Sequence, residues 1–297
     1  MGEGYREIEL FIGPLREFET GDGKKANSIH IISNGNINTP KVRISCQKQV
    51  ISTATQCFIS IWNLRPQTRN MLKKAGTSVR VYAGYEGQEK NLLFTGSISS
   101  AVTDREGTDF ITKVTCRAGG SNMIRSVVSK TYSAGVDLKD AVMELAKQIP
   151  NITPDPANVN LKGTIGYAGW SFVGSTKDAL DKLAYQFGFS WRIDNGTFYA
   201  LQDGTTSGKT ILLNSANGLR KVSPRLAGLL QIQEGTDILA QFVPNVSPGT
   251  TVHVISEVDP DLTRDYYCFS VSYDLCPKDE SWDMSISTFN IGPAWGA

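Results

Sequence analysis

Two distant segments of this 297-residue chain read alike. GTSVRVYAGYEGQEKNLLFTGSISSAVTDREGTDFITKVTC runs from Gly76 to Cys116, and GTTVHVISEVDPDLTRDYYCFSVSYDLCPKDESWDMSIST runs from Gly249 to Thr288. Each opens with G-T-x-V-x-V, passes a polar loop, and continues with an aromatic-led strand, at Phe94 and at Tyr267. A second polar turn follows, and each closes on an alternating strand led by an aromatic, Phe110 or Trp282. The step from opening glycine to closing aromatic is 34 residues in the first and 33 in the second. A long-range repeat constrains the fold more than any local signal does, because it demands two copies of one supersecondary unit. Antiparallel strands of this kind remove their edges by closing into barrels or sandwiches.

The stretches around the repeats agree with this. Residues 1–117 alternate β-branched and aromatic positions between Gly, Asn and Asp clusters, as in YREIELFIG, KVRISCQKQV and QCFISIW, with TGDGK and SNGNINT as turns. One short helix interrupts at RPQTRNMLKKAG, with Pro66 at its first position, Lys73 and Lys74 in its last turn and Gly76 as its stop. Residues 209–297 return to strands: KTILLN, GLLQIQ, ILAQFVP, TTVHVIS, DYYCFSVSY and WDMSISTFNI.

Residues 118–208 change period. In DLKDAVMELAKQI, Asp137 is the N-cap and Leu138, Ala141, Val142, Leu145, Ala146 and Ile149 share one helical face up to Pro150. PNITPDPANVN, with three prolines, reads as a loop. In STKDALDKLAYQFGFSWRIDNGTFYAL, Ser175 and Asp178 form a capping pair, Leu180, Leu183, Ala184 and Phe187 form the buried stripe, and Gly188 is a left-handed stop. FSWRI and TFYAL then pair across DNG, a hairpin signal. KDAVMELA and KDALDKLA also resemble each other, either as a second repeat or as two amphipathic helices of similar length. The organisation is therefore a β module (1–117), an α/β insert (118–208) and a second β module (209–297).

Charge is nearly balanced overall, with a formal net charge of +1. Its distribution is uneven. Residues 41–130 carry 14 Lys and Arg against 5 Asp and Glu, whereas 257–283 carry 8 acids against Arg264 and Lys278. Unlike patches on related modules suit subunits meeting head to tail in a closed ring. Three such chains would surround an axis with six similar modules.

Chemistry-bearing constellations are sparse. The two histidines, His30 and His253, sit in alternating strands, and His253 falls at the repeat position of Arg80. Neither belongs to a nucleophile–base pattern, and Cys and His are too scattered for zinc. Acidic pairs such as Asp259 and Asp261 read as turn residues rather than a glycosidase dyad. GKT at Gly208–Thr210 lacks the preceding glycine of a phosphate loop. The basic first module lacks an RNA-binding signature or a helix-turn-helix. No catalytic, cofactor or metal site is expected. The five cysteines, Cys46, Cys57, Cys116, Cys268 and Cys276, form no CxxC and read as buried apolar residues. No apolar run approaches the ~20 residues of a membrane span, and charges at Glu3, Arg6 and Glu7 disfavour a signal peptide, so assembly in a cytoplasm without membrane insertion is expected.

FISIWNLRPQTRNMLKKAGTSVRVYAGYEGQEKNLLFTGSI resembles the tail hub proteins of bacteriophages: a strand ending in Asn-Leu, a short helix, G-x-x-V-x-V, AGY, a loop and LFTGxI. Ile152–Leu201 is similar to the central insert of that group. VPNVSPGTTVHVIS followed by DYYCFSVSYDL is similar to its closing module. The likeness extends to the late-control D group and to the hubs of contractile injection machines. It implies a mainly β fold, two tube-like β-barrel modules flanking a central helix–hairpin domain. It also implies a virion structural protein rather than an enzyme: a homotrimer whose pseudo-sixfold ring adapts a hexameric tail tube, or a tube-terminating ring, to a trimeric central spike, with the tape measure protein as a further partner. The genome would pass through the lumen without sequence readout, so the lumen strands are expected not to be strongly basic. No oligonucleotide-fold barrel or β-helix repeat follows the second module before Ala297, so the spike is expected on a separate polypeptide. Expected ring contacts lie around Arg80–Tyr85 and His253–Val258, with Arg80, Tyr82, Tyr85, His253 and Glu257 as candidates. A second reading is a cell-wall glycan-binding module associated with lytic activity, with Trp170, Phe172, Trp191 and Tyr199 as stacking candidates; core packing is the competing use of those aromatics.

Overall fold

The computed structural model describes residues 5–14, 29–50, 55–74, 77–118, 126–150, 152–227 and 232–291. Strands dominate. The first unit comprises β1 (Arg6–Pro14), β2 (Ile29–Ser33), β3 (Val42–Gln49), β4 (Gln56–Trp62), helix α1 (Pro66–Leu72), β5 (Thr77–Tyr85), β6 (Asn91–Glu106) and β7 (Asp109–Arg117). The insert comprises β8 (Val127–Tyr132), α2 (Leu138–Ala146), β9 (Thr153–Asn160), β10 (Trp170–Ser175), α3 (Thr176–Phe187), β11 (Phe189–Asp194) and β12 (Thr197–Gln202). The last unit comprises β13 (Thr210–Leu213), β14 (Leu219–Ala227), β15 (Ile232–Gln241), β16 (Thr251–Val254), β17 (Arg264–Leu275) and β18 (Trp282–Asn290).

The duplication is visible in strand order. One unit runs β1-β5-β6-β7-β4-β3, and the other runs β13-β16-β17-β18-β15-β14. Both carry a bulge at the same point. In the first, Ile98 pairs Cys116 and Ser100 pairs Thr115, leaving Ser99 over. In the second, Cys268 pairs Thr288 and Ser270 pairs Ser287, leaving Phe269 over. A bulge bends its strand and fixes register, so a shared one marks a shared fold rather than a chance meander. The bulges align Phe110 with Trp282 and Arg80 with His253. They do not align the two leading aromatics: Phe94 faces Val81, the position that Arg264 holds opposite Val254, while Tyr267 takes the place of Ser97. The first strand also departs from the repeat, since β1 is antiparallel to β5 but β13 is parallel to β16.

The two units do not stand apart. β17 pairs β16 through its first half and β3 through its second, so both units join in one 13-stranded sheet. One apolar cluster runs through both, from Ile8 and Ile44 to Trp282 and Ile286. All five cysteines are free and buried; Cys46, Cys57 and Cys116 lie within that cluster on adjacent strands. Burial pushes the Cys116 thiol up to about 12, which leaves it un-ionised and inert.

The insert has a separate core. Leu138, Val142 and Leu145 of α2 meet Leu180 and Leu183 of α3 over Trp191 and Phe198. Asp137 caps α2 by accepting from the Lys139 and Asp140 N–H groups, and Ser175 caps α3 by accepting from Asp178 N–H. Gly188 ends α3 at φ 62°, a left-handed conformation that a Cβ would strain. Asn195 and Gly196, both at positive φ, close the β11–β12 hairpin.

Three expectations change. PNITPDPANVN is not a loop: β9 forms there, parallel to β12. It lies at the edge of its sheet, where only one side of the strand must hydrogen-bond and prolines are tolerated. β8, β10 and β14 form where the sequence alone carries no strand signal. β14 (LRKVSPRLA) hides because Pro224 and scattered basic residues break its alternation. The strand expected at GLLQIQ falls partly outside the described residues, as do TGDGK and the helix stop at Gly76. Finally, unlike charges expected to meet between subunits meet inside the chain. Lys41 pairs Asp279 at 2.8 Å and Arg43 pairs Asp274 at 2.6 Å, because β3 and β17 are neighbours.

Candidate functional site

The most heavily cross-tied region is the seam of the joined sheet and the exposed face beside it. At the seam, Arg43 grips Asp274 with two bonds, Nε to Oδ1 at 2.8 Å and Nη2 to Oδ2 at 2.6 Å. That fork-to-carboxylate geometry is the strong form of an ion pair. The hydrogen bond to Asp274 raises the Arg43 guanidinium further above its ordinary range. Beside it, Arg6 Nη1 donates to the Asp279 carbonyl at 3.1 Å and Lys278 Nζ donates to the Thr39 carbonyl.

Behind the seam lies a buried polar cluster that ties the insert to the sheet. Lys48 Nζ of β3 sits 2.9 Å from the Asp194 carboxylate of β11, with the two side chains only 5% and 8% exposed. Arg192 lies over the Tyr199 ring at 4.6 Å, and burial holds its guanidinium below the ordinary value. A hydrogen-bonded Lys–Asp pair facing an Arg that cannot lose its proton is an anchor, not acid–base machinery.

The exposed face is mostly polar, with Phe58 and Leu239 as apolar exceptions, and is continuous across the seam. One row reads Thr115, Phe58, Ser45, Asp274, Asp283 and Gln241 on six adjacent strands. The next reads Arg117, Gln56, Gln47, Ser272, Ser285 and Leu239. Several of its charges are tied to each other: Arg43 to Asp274, Lys113 to Glu106 at 2.9 Å, and Arg220 to Asp283 at 3.0 Å.

The sequence-derived contact residues do not converge. Arg80, Tyr82 and Tyr85 lie on β5, which is flanked by β1 and β6. Tyr82 packs edge-on against Phe11, and Tyr85 lies edge-on to Trp282 while its hydroxyl accepts from Gln241. His253 lies on β16, flanked by β13 and β17, with Nδ1 2.6 Å from Asp265. Glu257 accepts from Ser215. Arg80, Tyr82, Tyr85 and His253 lie on strands flanked on both sides, so they can meet a partner through side chains only, whereas Glu257 lies in the loop after β16. The seam strands β3 and β17 were missed as a site; the signal for them was the Arg43 and Asp274 charges themselves.

The aromatic candidates for glycan stacking also split. Trp191 is 1% exposed, stacks on Phe198 and donates to Asp181 at 2.9 Å. Trp170 stacks between Tyr132 and Phe172, half-buried against the insert core, and Lys182 covers the Phe172 ring at 4.7 Å. Tyr199 lies under Arg192. The four do not form one platform. Among the described residues no group of His, Cys, Asp and Glu is placed to hold a metal ion, and no helix is long and apolar enough to cross a membrane.

Comparison with known proteins gives one family and a consistent fold. A family model described as baseplate hub gp41 matches residues 36–287. No curated protein sequence matches the chain. Among solved structures, a tail protein from Neisseria meningitidis MC58 is similar over 96% of each chain, with 12% identity and a TM-score of 0.63. The 43 kDa tail protein of prophage MuSo2 from Shewanella oneidensis is similar over 95% of this chain and 96% of its own, with 11% identity and a TM-score of 0.60. The E. coli c3393 protein, described as a type VI secretion component structurally similar to T4 tail proteins gp27 and gp5, is similar over 89% of this chain and 77% of its own (11% identity, TM-score 0.62).

Proposed function

We propose that this chain, which belongs to the baseplate hub gp41 family, acts as a homotrimeric adaptor in a bacteriophage tail. As a structural hub it is a component of the tail baseplate. Three copies close a ring in which six related units alternate, so that a hexameric tube or tube-terminating ring can stack above and a trimeric spike can dock below. The tape measure protein is a further partner, and assembly takes place in the host cytoplasm. On this reading the division is 1–117 and 209–297 as ring modules and 118–208 as an insert that stiffens them from outside.

The observation that carries the reading is the duplicated six-strand order with its shared bulge. A chain that carries two copies of one unit converts threefold symmetry into approximate sixfold symmetry without further parts. The polar face supports a passage role. Arg43, Lys113 and Arg220 on it are each tied to an acid, which leaves a DNA backbone fewer free cations there, and tight counterion-releasing contacts would slow transit. Arg80, Tyr82, Tyr85, His253 and Glu257 are proposed as side-chain contacts to stacked or neighbouring subunits rather than as catalytic groups.

Native mass of the full chain, with averaged end-on images, tests the proposal. A trimer whose ring looks sixfold is expected. A monomer at all accessible concentrations and beside its neighbouring tail components would overturn it.

A further inference from the structure

The repeat assigns a specific joint between copies, and this inference rests on the ring proposed above. Within the chain, the second half of β17 is covered by β3: Ser270–Leu275 pair Gln49–Ile44. The equivalent half of β6 is not covered. Residues 100–106 pair β7 on one side, and among the described residues no backbone hydrogen bond reaches them on the other. The equivalent of β3 in the second unit is β14, which ends the sheet and pairs only β15. β6 and β14 therefore each carry an open edge, and each is the counterpart of a strand that is already paired inside the same chain.

The bulge fixes the correspondence residue by residue. Ser100 matches Ser270, so Asp104 matches Asp274. Thr115 and Ser287 pair Phe58 and Asp237, which in turn pair Ser45 and Ser223, so Ser45 matches Ser223 and Arg43 matches Lys221. The ion pair at the internal seam, Arg43 with Asp274, is thus repeated in sequence as Lys221 and Asp104. In the monomer that second pair is unmade. Lys221 is exposed with no ion pair among the described residues, and Asp104 lies 3.8 Å from an exposed Lys113.

We infer that β6 of one copy and β14 of the next form an antiparallel joint in the register of the internal seam. Val102 faces Arg225, Asp104 faces Ser223 and Glu106 faces Lys221, with Lys221 also diagonal to Asp104. Eight strands of each chain, β6-β7-β4-β3-β17-β18-β15-β14, then continue around the ring, about 24 in all for the three copies proposed above. The joint differs from the internal seam at one position. Val50 N–H donates to the Phe269 carbonyl, so by alternation the backbone of Cys46 faces β17. Pro224 holds that position in β14, so it offers the edge a carbonyl but no N–H. The joint has one donor fewer than the internal seam, and the same proline discourages other strands from adding there.

A cysteine pair tests the register. Asp104→Cys with Ser223→Cys places two thiols directly opposite in a non-hydrogen-bonded pair, where Cα atoms lie about 4.5 Å apart and a disulfide fits. The native cysteines are all buried and do not compete. Oxidation of the full chain should give covalent trimers on a non-reducing gel, while Asp104→Cys with Pro224→Cys should not. Particles that weigh as trimers but fail to cross-link at Asp104 and Ser223 overturn the joint and leave the ring standing. Monomers throughout overturn the ring and the joint together. Independently, Glu106→Lys should weaken trimerisation about tenfold by facing Lys221, and adding Lys221→Glu should restore it. Equal weakening by the single and the double variant would also overturn the assignment.

Discussion

Removing one partner of the Lys48–Asp194 pair should be among the costlier single changes in the chain. The pair joins β3 of the sheet to β11 of the insert, spans 2.9 Å and is almost wholly excluded from water. Asp194→Ala leaves a buried ammonium without its counter-charge, with Arg192 close by. Breaking a buried ion pair in this way costs about 3–5 kcal/mol. Each kcal/mol lowers the midpoint of a domain of this size by about 2–4 °C, so a fall of about 6–20 °C is expected. Removing both charges with a shape-matched pair, Lys48→Met with Asp194→Leu, should recover most of the loss, because neither charge is then stranded. The assay is urea and thermal unfolding of the wild type, Lys48→Met, Asp194→Leu and the double variant, followed by tryptophan fluorescence. The coupling should survive high salt, since water and ions do not reach the pair. A single-variant cost below about 1 kcal/mol, or additive losses in the double variant, would refute the claim that this pair anchors the insert.

Other tests follow from individual contacts. Gly235→Ala should cost at least about 2 kcal/mol in unfolding experiments, because a Cβ there would lie 1.9 Å from the Thr288 carbonyl and force β15 off β18. Ser175→Ala should remove the α3 cap and cost about 1 kcal/mol, with Ser175→Asp nearly neutral. Acid should loosen the fold at its carboxylate clamps. Burial pushes the Glu9 carboxyl up, but the hydrogen bond and charge of Lys90 outweigh it, so its net shift is downward; Lys130 lowers Glu144 and Lys41 lowers Asp279. Such groups bind fewer protons folded than unfolded. Their contribution is full above the ordinary values of 4.5 for Glu and 3.8 for Asp, and is lost as pH falls through the lower folded values. Melting temperature should therefore hold from neutral pH to about 5 and drop below it, and Glu9→Gln should flatten part of the drop. Filter binding of duplex DNA to the assembled hub should show weak retention with a shallow salt slope, and strong low-salt retention would argue against the passage role.

Much of this was legible in the chain. The helices and the hairpin announced themselves because their signals are local: Asp137, Ser175 and Gly188 cap, and Asn195–Gly196 turns. The repeat was legible because Val79, Val81, Val252 and Val254 must each be buried in the same sheet position. The missed strands share a different cause. β9 and β14 are edge strands in which proline is tolerated, and their identity as strands comes from a distant partner rather than from their own alternation. The seam was invisible for the same reason. The charges of Lys41, Arg43, Asp274 and Asp279 were plain in the sequence, but that they meet within one chain follows only from β3 lying beside β17.

That internal seam also bears on how a ring made from this chain would come apart. Covalent continuity makes three of its six joints intramolecular, so their strands are already at high effective concentration when subunits meet. The other three must be won from solution and lack the donor that Pro224 cannot supply. Seen from above the ring would look sixfold, yet under load it would fail in thirds, with each chain leaving as a two-module arc. On the proposed ring, the lines of weakness are set by which joints lie within a chain and which lie between chains.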